Sequence, residues 1–257
     1  MHSHLQNALH IGCAGWAIPR TARDEFPREG SHLQQYAARL HAVEINSSFY
    51  RPHQRATYTR WASSVGENFR FSVKMPRTIT HERRLVDATD LLDRLLNEVS
   101  GLGDKLGCLL VQLPPSLVYD EYSTRTFLTS LRVRFSGAVA IEPRHQTWFT
   151  ASAESLLVEQ RMSRVVADPA TVEHAAVPGG DPPMIYCRLH GSPKMYYSAY
   201  SSVFLAEMEQ RIRDWVICGV VVWCIFDNTA LGAASLNALE LQQRILGDAS
   251  ITSAASR

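Results

Sequence analysis

The stretch Ala138-Val139-Ala140-Ile141-Glu142-Pro143-Arg144-His145-Gln146-Thr147-Trp148-Phe149 (AVAIEPRHQTWF) runs four small or branched apolar residues straight into an acid, a base and a histidine. Side chains alternate across a strand, so Val139 and Ile141 share one face while Ala138, Ala140, Glu142 and Arg144 share the other. An ordinary buried strand ends in Gly, Asn or Asp turn chemistry. This one ends in ionisable groups, on the face that carries its small residues.

The pattern recurs along the chain. Ala42, Glu44 and Asn46 oppose Val43 and Ile45; Ser72 and Lys74 oppose Phe71 and Val73; Arg188 and His190 oppose Cys187 and Leu189. Phe226 groups with Asn228 in an eighth run, and Gln112 and Asp168 close the fourth and sixth. The strand-like runs are 10–16, 42–48, 69–75, 105–113, 138–144, 164–168, 184–191 and 219–228, with helix candidates at 31–40, 54–64, 88–100, 123–133, 152–161, 203–215 and 233–246. Strands separated by helix-length connections pair in parallel. The expectation is an α/β fold, a (β/α)8 TIM-type barrel of eight parallel strands forming one domain over 1–257, with 1–9 as a disordered N-terminal segment. Bulky apolar faces pack on the helices, small-then-polar faces point inward, and the polar ends converge on the carboxyl-end mouth where barrel active sites sit. An open doubly wound sheet is the alternative, but GCAGWA (12–17) lacks the glycine spacing of its phosphate turn. Segment 169–183, rich in Pro and Gly, reads as a loop replacing the sixth helix.

Composition bounds the function. The 257 residues are 46% hydrophobic and 20% charged with a net charge of +1, so no global basic excess advertises nucleic acid. The longest apolar run, Val220 to Phe226, is too short to span a bilayer, and MHSHLQNALH has neither the charged nor the apolar region of a signal peptide. Five cysteines, odd in number and without CxxC spacing, read as packing thiols in a reducing cytoplasm; Cys13 is buried filler in preference to a reactive thiol.

The motifs IGCAGW, VEINSSFYRP, FRFSVKMPRTITHERRL, LGDKLGCLLVQLPPSL, AIEPRHQTWF, RLHG and FDNTALGAASLNALEL together resemble the YecE-like family, a domain of unknown function numbered 72. The resemblance runs almost end to end and implies a (β/α)8 barrel, without implying an activity. The family's usual Thr-Ser in the first motif is Cys13-Ala14 here, which removes any ligand contact those hydroxyls make in relatives.

Several chemistries compete for the mouth. Glu44 and Glu142 are an acid/base pair for glycoside hydrolysis at suitable spacing, unless each is locked to Lys74, Arg144 or Arg188. His81, His145, Glu142, Asp168 and His190 form a metal set in an alternative reading, unsupported by ligand spacing motifs. A census of cations at strand ends, with rings interleaved (Trp16, Phe49, Tyr50, Trp148, Tyr196, Tyr197, Tyr200), suits phosphate and a base or sugar face. The residues assigned to catalysis are Glu44, Glu142, His145 and Asp168. Those assigned to ligand binding are Trp16, Asn46, Lys74, His81, Gln112, Arg144, Trp148, Arg188, His190 and Asn228. The function expected is a hydrolytic enzyme acting on a phosphate-containing small molecule or nucleic acid. A non-catalytic nucleic-acid or nucleotide binder and a carbohydrate-active hydrolase are the alternatives.

Overall fold

The computed structural model describes residues 8–181 and 184–247. Strands β1 (Leu9–Ala14), β2 (Ala42–Ile45), β3 (Arg70–Lys74), β4 (Leu106–Gln112), β5 (Val139–Glu142), β6 (Ser163–Arg164), β7 (Val166–Asp168), β8 (Gly179–Gly180), β9 (Met184–Leu189) and β10 (Val221–Phe226) form one sheet. Its helices are α1 (His32–Ala37), α2 (Ser47–Tyr50), α3 (Arg55–Ser63), α4 (Thr89–Val99), α5 (Glu121–Arg134), α6 (Ala151–Glu159), α7 (Ser202–Ile217) and α8 (Ala233–Leu246).

Neighbours run β7-β9-β10-β1-β2-β3-β4-β5-β6-β8, and every ladder is parallel except the antiparallel pairing of β6 with β8. Only Val165 separates β6 from β7. Its N–H still donates to Ile141 O, while β7 has already turned to pair with β9. The sheet therefore curls into a nearly closed barrel, with helices outside.

Ten strands stand where the sequence reading expects eight. Seven of the eight runs form one strand each. The sixth breaks at Val165, and the Gly179–Gly180 pair adds a short strand inside the segment read as loop, which also holds a single turn at Glu173–Ala176. No α-helix forms among the described residues of that segment. Of the segment read as disordered, 1–7 lies outside the described residues, whereas Leu9 is buried and opens β1.

Helix starts are fixed locally. The first N–H groups of a helix lack intrahelical acceptors, and side-chain oxygens at the N-cap supply them. Ser31 does so for α1 in a reciprocal capping box with Gln34, as do Asp120 for α5, Thr150 for α6 and Ser201 for α7.

Two apolar layers follow from strand alternation. Ile11, Val43, Ile45, Phe71, Val73, Val139, Ile141, Cys187 and Leu189 pack outward against the helices. Ala42, Cys108, Leu110, Ala140, Val165, Met184, Tyr186, Trp223 and Ile225 fill the barrel interior as a separate cluster. In β10 the parity is opposite to the sequence reading: Trp223 and Ile225 face in, Phe226 packs outward, and the next inward position belongs to Asp227. Among the described residues no helix is long and apolar enough to cross a membrane.

Candidate functional site

Above the interior layer, the inward faces of β2, β5, β9 and β10 bring one arginine and three carboxylates together. Arg188 Nε and Nη2 donate to Glu44 at 3.0 and 2.7 Å, Nη1 donates to Glu142 at 2.7 Å, and Nη2 also reaches Asp227 at 3.0 Å. Only a planar guanidinium offers donors in enough directions to hold three anions at once. Below it, Tyr186 Oη donates to Glu44 and lies 2.6 Å from Ser72 Oγ. Above it, His190 bridges Asp227 (Nδ1, 3.0 Å) and Glu142 (Nε2, 2.9 Å). Arg188 and Glu44 have no solvent exposure, and Glu142 and His190 have almost none.

Charges buried this deeply persist only when paired. Burial alone would raise the Glu142 carboxyl, but Arg188, Arg144 and His190 outweigh it and hold it well below the usual range. Burial likewise opposes ionisation of Asp227, yet Arg188 and His190 pull it below its ordinary value. For His190, burial favours the neutral ring, while Glu142 and Asp227 prevail and raise its pKa. With both ring nitrogens facing carboxylates, it is built to be an imidazolium.

Lys74, at the end of β3, is the exception. It is buried, yet among the described residues no carboxylate comes within 4.0 Å of its ammonium; Nζ rests instead 4.1 Å from the centre of the Phe49 ring. Burial, then Arg188, push its pKa down to about 8 against the pull of Glu44, Glu142 and Asp227. Two further bases flank this mouth. Arg144 donates to Glu142 through Nε and Nη2 and to Tyr196 Oη through Nη1, and keeps some exposure. His81 packs edge-on to Phe49, and its pKa is lowered by partial burial and then by Lys74, Arg77, Arg144 and Arg84. Tyr196 covers His190 edge-on from a left-handed backbone (φ 69°) pinned by its N–H to His190 O and its carbonyl to Ala230 N.

Thus Glu44, Lys74, His81, Glu142, Arg144, Arg188 and His190 come together, and other assigned residues do not. Asp168 points away from the interior, because β7 places Val166 on the helix side; its carboxylate accepts from Tyr200 Oη at 2.7 Å. His145 caps the Gln146–Trp148 turn, with Nδ1 accepting from Thr147 N. Trp148 is a core ring whose indole N–H donates to Leu117 O, and Trp16 packs edge-on to Trp61. Asn228 ties the loop at Ser198 O to Asn237. Gln112, opposite Glu142 in the β4–β5 ladder, donates to Leu113 O. Asn46 closes β2 with a buried Oδ1 that has no donor among the described residues. Arg188 is consumed by carboxylates and has no face left for a phosphate.

Sequence reasoning missed Asp227 and Tyr186. Asp227 follows a run apolar on either face, where alternation carries no signal, and Tyr186 shares the inward face of Arg188 but reads as one more bulky ring. Cys13 is core filler: its thiol is buried and pushed up to about 12, and it faces Tyr36 and Ser235 while Ala14 takes the inward position. Among the described residues no group of three or more His, Cys, Asp or Glu is arranged to hold a metal ion. Cavities of about 270 Å³ beside Arg84 and Trp148 and about 570 Å³ at the amino-end mouth, beside His10, Arg70 and Trp223, both lie apart from the ion network.

Comparisons with known proteins agree with this architecture. The family model described as protein of unknown function DUF72 matches residues 10–256. The protein UPF0759 protein YecE of Escherichia coli K12 is 30% identical over 176 residues, which is 66% of this chain and 62% of that protein's length. A crystal structure of a DUF72 family protein from Enterococcus faecalis V583 superposes with a TM-score of 0.77 at 21% identity, covering 92% of this chain and 95% of the other. Another from Thermotoga maritima MSB8 gives 0.75 at 20% identity, covering 91% and 98%. At these identities the two structures speak for the fold alone.

Proposed function

This chain belongs to the DUF72 family, and on that premise we propose, from its own site, that it is an enzyme acting on a small anionic ligand at the carboxyl-end mouth. The ligand class is a compact molecule bearing a phosphate or carboxylate. The observation that carries the reading is Lys74. Three carboxylates in the site are satisfied by Arg188, Arg144 and His190, and Lys74, mostly buried as a residue, has no carboxylate within ion-pair distance among the described residues. A buried unpaired charge is costly, and a ligand anion entering beside Arg144 and His81 offsets that cost.

Hydrolysis by a carboxylic acid is not part of this reading. Glu142 is held ionised, and Glu44 is clamped by the same arginine, so neither serves as the proton donor a glycosidase needs. A nucleic-acid surface is also less favoured, because Arg188 and Trp148 are sealed in the interior. Calorimetric titration with inorganic phosphate, and with small phosphorylated and carboxylated metabolites, tests the reading. Wild type binds and Lys74→Met does not, with its fold intact by circular dichroism. Equal affinity in the two proteins, or no binding by wild type, overturns it. Repeating the titration with single-stranded oligonucleotide separates the alternatives, since a polynucleotide loses affinity steeply with salt, at a log–log slope of about −0.7 per phosphate contacted.

A further inference from the structure

We propose that Lys74 is an imine-forming lysine, condensing through Nζ with the carbonyl of a small anionic aldehyde or ketone; the proposal rests on the anion-binding reading above and names its substrate class.

The first argument is the choice of residue. Of the 26 lysines and arginines in the chain, only Lys74, Lys105 and Lys194 are lysine. Where this protein needs positive charge it uses arginine, and all three of the carboxylates in the site are served by arginine or histidine. Lysine differs in being able to surrender its proton and act as a nucleophile. The other two lysines have ordinary employment. Lys105 Nζ donates to Ala62 O and Val65 O, and Lys194 lies on an exposed loop over the Tyr197 ring.

The second argument is the surroundings. Lys74 Nζ donates to no oxygen among the described residues and lies against the face of Phe49, within the field of the cation Arg188. Burial and like charge both favour the neutral amine, which is the reactive form. Arg144 and His81 then take the anionic group of the substrate and set its carbonyl toward the amine.

The bookkeeping closes without a further reagent. The ammonium first gives up one proton. The amine lone pair attacks the carbonyl carbon, a C–N bond forms, and the C=O π pair moves to oxygen, which takes one proton from the attacking nitrogen. The carbinolamine hydroxyl leaves as water with a second proton, and a protonated C=N remains. The net change is one ammonium plus one carbonyl giving one iminium plus one water. The iminium keeps its positive charge within the field of Glu44, Glu142 and Asp227, and draws electrons from the adjacent carbon.

The test uses the full-length protein with pyruvate and, separately, glyceraldehyde 3-phosphate, each with sodium borohydride to reduce the imine. Intact mass and peptide mapping locate the adduct. The expected result is one adduct per chain, on Lys74, formed about tenfold or more faster than on Lys194, whose side chain lies on the surface. Lys74→Arg keeps the charge but has no primary amine, so it loses the adduct. Labelling at Lys194 equal to or faster than at Lys74, or no Lys74 adduct with either carbonyl while phosphate still binds, overturns imine formation and leaves the anion site standing. Failure of wild type to bind phosphate or either carbonyl removes the underlying reading as well.

Discussion

Arg188 holds Glu44, Glu142 and Asp227 together, and the cost of losing it is set by what it leaves behind. Removing one partner of a buried ion pair costs about 3–5 kcal/mol, because the other charge stays buried and unpaired. Arg188→Met strands three such groups, so we expect a loss at or above that range in urea unfolding. Arg188→Lys recovers little, since an ammonium cannot fork between three acceptors. Lys74→Met behaves oppositely. With no carboxylate partner to strand, it leaves the melting temperature unchanged or raised in the absence of ligand. A drop comparable to that of Arg188→Met contradicts the geometry described for Lys74.

The same residues fix a pH dependence. Glu142 and Asp227 sit below their ordinary values of 4.5 and 3.8 in the folded protein, so their contribution is present above those values and is lost as pH falls through the folded ones. His190 sits above 6.5, so its contribution is complete below 6.5 and is lost as pH rises through the raised value. Lys74 has the opposite sign to His190: its folded value near 8 lies below 10.5, so folding is relieved of a penalty as pH rises above 8. Stability from Glu142, Asp227 and His190 therefore peaks between about pH 4.5 and 6.5, and the Lys74 contribution rises separately above pH 8. In His190→Gln the decline above pH 6.5 disappears while the acid decline remains; an alkaline decline unchanged in this variant assigns it to another group.

At the scale of elements, legibility followed alternation. β2, β3, β5 and β9 alternate bulky with small or polar residues, and Glu44, Lys74, Glu142 and Arg188 were readable as inward from that alone. β10 is apolar on both faces, so grouping Phe226 with Asn228 puts its parity one residue out. That error substituted Asn228 for Asp227. The sixth run failed for another reason: the chain breaks at Val165 to change partners, and the break turns Asp168 toward Tyr200. No residue type marks such a break in a run of valines and alanine. Trp148 and His145 carried a functional look because polar and aromatic residues at strand ends also serve as caps and core rings. Strand contact yields its own test at Gly12, where a Cβ would lie 2.0 Å from Ala42 O across the β1–β2 ladder. Gly12→Ala must push the two strands apart, an overpacking cost of about 1–3 kcal/mol or more. Hydrogen exchange in that variant should show loss of protection concentrated in β1 and β2; uniform protection contradicts the close approach.

For the whole molecule, the repeated strand–helix spacing made the barrel readable, whereas the network at its mouth was not. Pairing partners depend on three-dimensional distances, and the sequence left Lys74, Arg144 and Arg188 as candidates for neutralising Glu44 and Glu142. The barrel gives both carboxylates to Arg188, shares Glu142 with Arg144, and leaves the lysine without one. That division of labour is the central claim, and the scarcity of lysine makes it directly measurable. In protein labelled with ¹³C and ¹⁵N at lysine, the three side chains give three sets of signals, and Lys74→Arg identifies which is Lys74. A pH titration of that signal, with and without inorganic phosphate, is the decisive measurement. The account predicts a midpoint near 8 for Lys74 that moves upward when phosphate binds, as a second charge of opposite sign arrives. A midpoint near the ordinary lysine value of 10.5, unmoved by phosphate, contradicts it.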